Sequence, residues 1–248
     1  MFASKLFQGI AVAFAVGASG CITIPEVDLS GLLDGSSITV QADGRADGKT
    51  TVQACVRVSL SLGCDGDGSI VAASEGQAVA LAREALPDEE LFLAPRGELD
   101  GSAEGKEIVI AYDGYVQAPG SRVVLPLPFT ITGPVQTNED TLVLQSSDAL
   151  PLTWEPALGD DAMAWSVSGT CAGDDGEESS VFREFSISHD EGDLALSVLD
   201  FGLPAGKRCE LVLDLLRQAD GLVDPAFMPG ASVVRGRQVR SLSLVVEP

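Results

Sequence analysis

Hydrophobic residues recur at every second position toward the end of the stretch Val52 to Leu62. Val56, Val58, Leu60 and Leu62 alternate with Arg57, Ser59 and Ser61. A period of two sends alternate side chains to opposite faces, so this stretch predicts a half-buried strand. The turn-forming run Gly63-Cys64-Asp65-Gly66-Asp67-Gly68 ends it. Ile38-Thr39-Val40, Ile108 to Tyr112 and Arg122 to Ile131 read as further strands. Residues 76–86 (GQAVALAREAL) fit either a short helix, by their Ala and Leu content, or a strand.

Pro126, Pro128, Gly133 and Pro134 punctuate the middle of the chain and predict a boundary near residues 128–136. Beyond it, short apolar segments alternate with polar or Gly/Pro turns. They are 142–144, 152–154, 164–168, 182–188, 194–201, 209–216 and 239–246. In the last, Leu242, Leu244 and Val246 share one face, and Ser241 and Ser243 the other. Short strands with frequent turns and no intervening amphipathic helices argue for antiparallel sandwiches and against a βαβ fold. The expected fold is therefore mainly β, with two small antiparallel β-sandwich-like domains at 36–130 and 131–248.

Charge narrows the function classes. The 248 residues carry 37 Asp+Glu against 15 Lys+Arg, a formal charge of −22. Nucleic acid is excluded as a partner, because phosphate binding needs clustered Lys and Arg. A single His removes most His-based catalysis and His-rich metal sites. At 45% hydrophobic residues, the chain can bury a real core.

The first 20 residues are an address rather than part of the fold. Lys5 precedes an apolar stretch from Leu6 to Val16, followed by the small residues Gly17 to Gly20. These are the three regions of a secretory signal, and the apolar run is too short to span a membrane. Ala18-Ser19-Gly20-Cys21 resembles the lipobox of bacterial lipoproteins, with Ala18 where that family usually has Leu. The resemblance implies cleavage before Cys21, acylation of that residue and a membrane anchor without a spanning helix. Ile22, rather than Asp, follows the Cys. In Gram-negative lipoproteins that resembles the outcome of sorting to the outer membrane. Residues 21–35 would be the lipidated Cys and a tether.

Removing Cys21 leaves Cys55, Cys64, Cys171 and Cys209, an even number suited to an oxidising compartment. Three pairings are open. Cys55–Cys64 with Cys171–Cys209 is favoured, because each pair then closes a loop within one expected domain.

Leu150-Pro151-Leu152-Thr153-Trp154-Glu155-Pro156 resembles the second-strand signature of fibronectin type III and immunoglobulin-like sandwiches. In that family the Trp is a core residue and the Pro begins the next turn. The resemblance implies that Ala164 to Ser168 and Cys209 to Leu213 are neighbouring strands, which makes a Cys171–Cys209 bridge geometrically plausible.

Candidate chemistry is sparse. Gly169-Thr170-Cys171-Ala172-Gly173 matches the spacing of a nucleophile elbow, but the surrounding pattern lacks the strand–turn–helix that an elbow needs. A disulfide is the expected role of Cys171. His189 lies in the polar string Ser188 to Asp193 and reads as a solvated loop residue. Asp65 and Asp67, and Asp174 and Asp175, are calcium candidates by charge density, although neither loop has the Gly and Glu spacing of an EF-hand. Trp154 and Trp165 read as core residues. Arg235, Arg237 and Arg240 form a basic cluster expected to balance acids on a strand face. The expected function is a non-catalytic, lipid-anchored envelope protein with a structural or binding role toward a protein or glycan partner. No cofactor other than calcium is implied. A carboxylate- or metal-dependent exported hydrolase and a calcium-stabilised adhesion module are the alternatives.

Overall fold

The computed structural model describes residues 35–58, 64, 68–83, 94–134, 141–159, 161–173 and 177–248. The signal, Cys21, most of the tether and the calcium candidates Asp65, Asp67, Asp174 and Asp175 lie outside the described residues.

The described chain is built from strands. The N-terminal part contributes β1 (Ser36–Gly44), β2 (Lys49–Val58), β3 (Ser69–Ser74), β4 (Gln77–Ala80) and β5 (Arg96–Asp100). There follow β6 (Glu107–Asp113), β7 (Gln117–Val124), β8 (Thr130–Gly133), β9 (Leu142–Gln145) and β10 (Ala149–Glu155). The last are β11 (Ala162–Ala172), β12 (Glu178–Ile187), β13 (Asp193–Ser197), β14 (Arg208–Asp220) and β15 (Val233–Glu247).

One eight-stranded sheet in the order β12-β11-β14-β15-β1-β2-β5, with β9 beside β15, runs through the molecule. Two smaller sheets pack on it. The three-stranded sheet β13-β10-β8 covers one half, and the four-stranded sheet β4-β3-β6-β7 covers the other. The result is two sandwiches that share their long sheet. Most pairs are antiparallel, but β1–β15 and β15–β9 are parallel.

The period-two pattern explains both cores. Ile38, Val40 and Ala42 of β1 and Val52, Ala54 and Val56 of β2 point inward and meet Ile70, Ile108, Ile110 and Tyr112 of the small sheet. Leu211, Leu213 and Leu215 of β14 and Leu242, Leu244 and Val246 of β15 meet Leu150, Leu152 and Trp154 of β10. Each fully buried aliphatic side chain contributes about 1.5–3 kcal/mol relative to exposure. Phe227 and Val234, from the C-terminal part of the sequence, belong to the first of these cores.

Three local readings change. The helix considered at 76–86 does not form over the described residues 76–83, because Gln77–Ala80 is β4, antiparallel to β3. Glu75 and Gly76 both have positive φ (48° and 82°) and form the tight hairpin turn that prevents a helix from starting there. The apolar stretch 122–131 is not one strand. It leaves β7 at Val124 and re-enters pairing as β8 at Thr130. The stretch 194–201 divides as well, into β13 and a 3-10 turn at Val198–Phe201. Ser197 caps this turn, and the Asp200 side chain accepts from the Ser197 backbone N–H.

Both disulfides pair as favoured, Cys55–Cys64 and Cys171–Cys209. Cys171 and Cys209 stand directly opposite on the adjacent strands β11 and β14. Gly169 of β11 is required by close approach. A Cβ there would lie 2.0 Å from the Glu210 carbonyl oxygen of β14.

Candidate functional site

Several side chains on the outer face of the long sheet are short and polar. Across β11, β14 and β15 they include Ser166, Ser168 and Thr170, Asp214, and Ser241 and Ser243, in register. Where this face passes from β14 and β15 to β1 and β2, an open groove of about 470 Å³ forms. Its lining includes Asp43, Arg45, Asp47, Thr51, Gln53, Asp214 and Ser241.

The groove has a charged floor. Arg237 on β15 donates from Nε to Asp43 Oδ1 at 2.7 Å and from Nη2 to Asp43 Oδ2 at 2.9 Å. Gln41 Nε2 also donates to Asp43 Oδ2, at 2.9 Å. Both Asp43 oxygens are thus engaged in a bidentate, charge-assisted pair. Asp214 is held differently. The Ser241 hydroxyl donates to its Oδ1 at 2.6 Å. Burial pushes the Asp214 carboxyl above its ordinary value and the charge of Asp43 adds to this, while the Ser241 bond and the Arg237 charge oppose it. At the rim, Arg45 donates to Thr51 Oγ1 at 3.3 Å and to Glu98 Oε1 at 3.5 Å.

This arrangement can hold a polar ligand through carboxylate, hydroxyl, amide and guanidinium groups. Two-carboxylate hydrolysis needs one carboxylate free to attack or to activate water. Asp43 is not free, since its oxygens already accept three hydrogen bonds. Among the described residues, no three His, Cys, Asp or Glu side chains gather into a metal-binding group.

A second polar feature lies inside the molecule. Arg217 of β14 and Asp190 are both fully buried. Arg217 Nε donates to Asp190 Oδ2 at 2.9 Å, and Nη2 bonds the same oxygen. The guanidinium also donates to the carbonyls of Leu127 and Pro156. The Trp154 indole N–H donates to Asp190 Oδ1 at 2.6 Å. Arg217 and Arg240 both lie over the Phe129 ring, 5.1 and 5.3 Å from its centroid. Burial, together with the nearby Arg217 charge, lowers the Arg240 guanidinium from its usual range. Gln238, also fully buried, donates to the carbonyls of Ser102 and Pro126. Arg217, Gln238 and Arg240 thus mark a polar layer where one apolar core gives way to the other.

The basic cluster read from the sequence is split by strand parity. Arg237 pairs with Asp43 and Arg235 with Asp220 on the outer face, whereas Arg240 turns inward to backbone carbonyls, including that of Phe129. His189 is exposed, as a loop reading implies, while its neighbour Asp190 is wholly buried. Trp154 and Trp165 are core residues. Sequence reading missed Arg217, Asp190 and Asp214. Arg217 carried a usable signal, because it follows Leu211, Leu213 and Leu215 at the same period of two and therefore faces the same way.

No protein-family model and no curated protein matches the chain. Among solved structures it is similar to the FN1-FN3 domains of chicken CNTN1, at 11% identity and a TM-score of 0.23. The likeness covers 87% of this chain and 69% of that one. The β-sandwich architecture described above rests on the strand pairings and not on this likeness.

Proposed function

We propose that this chain is an exported, lipid-anchored module with a non-catalytic binding or structural role in the cell envelope. The observation that carries the reading is the distribution of its cysteines. Four of the five close two disulfides inside the fold. Such bonds persist in oxidising compartments and are rare in the cytosol. The fifth, Cys21, directly follows an apolar stretch and small residues at the end of a secretory signal. Acylation there holds the module at a membrane surface, by the lipoprotein resemblance at the outer membrane of a Gram-negative cell. The fibronectin- or immunoglobulin-like sandwiches then present the outer sheet face and its Asp214 groove to a protein or glycan partner. Calcium held by Asp65 and Asp67 or by Asp174 and Asp175 would add to the stability of the module.

Metabolic labelling with radioactive palmitate, followed by membrane fractionation, tests the anchor. The wild-type chain is expected to take up label and sediment with membranes. Cys21→Ala is expected to lose both properties while keeping both disulfides. Unchanged processing and membrane association in Cys21→Ala overturns the proposal.

A further inference from the structure

Strand β12 ends the long sheet, and among the described residues nothing pairs with its outer side. Its backbone orientation follows from the neighbouring disulfide pair. Cys171 and Cys209 have Cα atoms only 4.0 Å apart. Opposed residues in an antiparallel ladder stand about 4.5 Å apart when not hydrogen-bonded to each other and about 5.5 Å when they are. Cys171 therefore turns its N–H and C=O away from β14, toward Ser179 of β12. The β11–β12 register is unbroken, so Ser179, Val181, Arg183, Phe185 and Ile187 bond inward to β11. Ser180, Phe182, Glu184 and Ser186 turn their N–H and C=O groups to the open edge. One side-chain bond agrees with this assignment. Arg183 Nη1 donates to the Phe182 carbonyl at 2.9 Å, folding over the edge.

The same strand exposes two aromatic rings. Phe182 is 61% exposed on the outer face, and Phe185 is 43% exposed at the rim of the core, stacked on Trp165 at 4.6 Å. A long edge with free backbone groups and exposed aromatics is a template for another strand. We propose that the occupant is a second copy of this chain, paired antiparallel through β12 about a two-fold axis at Phe182.

Symmetry and charge select this register. A two-fold normal to the sheet keeps each side chain on its own face, so the axis must pass through a residue. With the axis at Arg183, Arg faces Arg. At Glu184, Glu faces Glu. At Val181, Glu184 faces Glu178 of the other copy. Like charges directly opposite destabilise a ladder. With the axis at Phe182, Phe faces Phe, Ser180 faces Glu184, Glu178 faces Ser186 and Val181 faces Arg183. No like charges oppose one another, and nearly the whole strand overlaps. The outward groups of Ser180, Phe182 and Glu184 then bond to those of Glu184, Phe182 and Ser180 in the second copy. Arg183 must release the Phe182 carbonyl for this to happen.

Sedimentation of the purified full chain tests the pairing. A concentration-dependent dimer is expected, strengthened by added salt, because two chains of charge −22 repel each other when unscreened. Ser180→Pro removes an outward N–H and leaves the β11 ladder intact. It should weaken the dimer about ten- to hundredfold, from two symmetric hydrogen bonds lost, with an unchanged melting midpoint. Should Ser180→Pro lower the midpoint, Phe182→Ser takes its place with the same expectation. Phe182→Cys, in a Cys21→Ser background, should cross-link to itself under mild oxidation, since a hydrogen-bonded pair at about 5.5 Å lies within disulfide reach. A chain that remains monomeric at all concentrations overturns the proposal. So does efficient self-cross-linking of Arg183→Cys or Glu184→Cys instead, or a dimer indifferent to the edge variants.

Discussion

Arg217 carries its charge at zero side-chain exposure, and Asp190 is what makes that tolerable. Removing one partner leaves the other charged and without water. Arg217→Met is therefore expected to cost about 3–5 kcal/mol in denaturant unfolding. Adding Asp190→Asn should recover part of that loss, because the amide keeps the shape and no longer needs a counter-charge. A double mutant no more stable than Arg217→Met alone would show that the pair acts by packing rather than by charge. Asp214 has the opposite character. Its folded carboxyl is held above the ordinary value mainly by burial, so its contribution is present at low pH and is lost as pH rises through the folded value. Asp214→Asn removes this penalty. Its melting midpoint should exceed wild type at pH 7, and the gain should shrink as the pH falls toward that of an unperturbed carboxylate.

Elements were legible wherever one face was buried and the period of two survived. The run Leu242, Leu244 and Val246, for example, is simply the inner face of β15, with Ser241 and Ser243 outside. The continuation of that face was harder to read. Gln238 and Arg240 are in step with Leu242, yet polar side chains in an inward position look like a strand end until their carbonyl partners on Ser102, Pro126 and Phe129 are known. Those partners lie more than a hundred residues away in sequence. Residues 76–80 stayed open between helix and strand for a different reason. Ala and Leu favour helix weakly, and the Glu75–Gly76 turn together with pairing to β3 outweighs that preference. Asp190 was hidden by its neighbours. Within a string of exposed polar residues, nothing local marks the one that turns inward to Trp154 and Arg217. The Asp214 groove was equally illegible, since β1, β2, β14 and β15 meet there only after the sheet has formed.

At the scale of the whole molecule, the two sandwiches are joined by shared strands rather than by a linker. β1 lies parallel to β15 from Thr39↔Val233 to Gly44↔Gln238, and Phe227 and Val234 help to fill the first core. A fragment spanning residues 36–130 would lack that strand and both side chains. It would leave the β15 side of β1 as an unpaired edge. The fragment is expected to show no dispersed amide spectrum and no cooperative melt, whereas the full chain should unfold in one transition. A folded fragment would mean that β15 is dispensable to the first core.

The β1–β15 pairing also sets a clock. Asp43 and its partner Arg237 are 194 residues apart. At ribosomal speeds of about 5–20 residues per second, β1 waits roughly 10–40 s for its neighbour to be made. Throughout that interval the first core lacks a wall, and the growing chain has no stable sandwich to form there. On the proposed export route, a chain threaded extended through a narrow translocation channel gains from such a delay, because its earliest strand is completed by one of its latest.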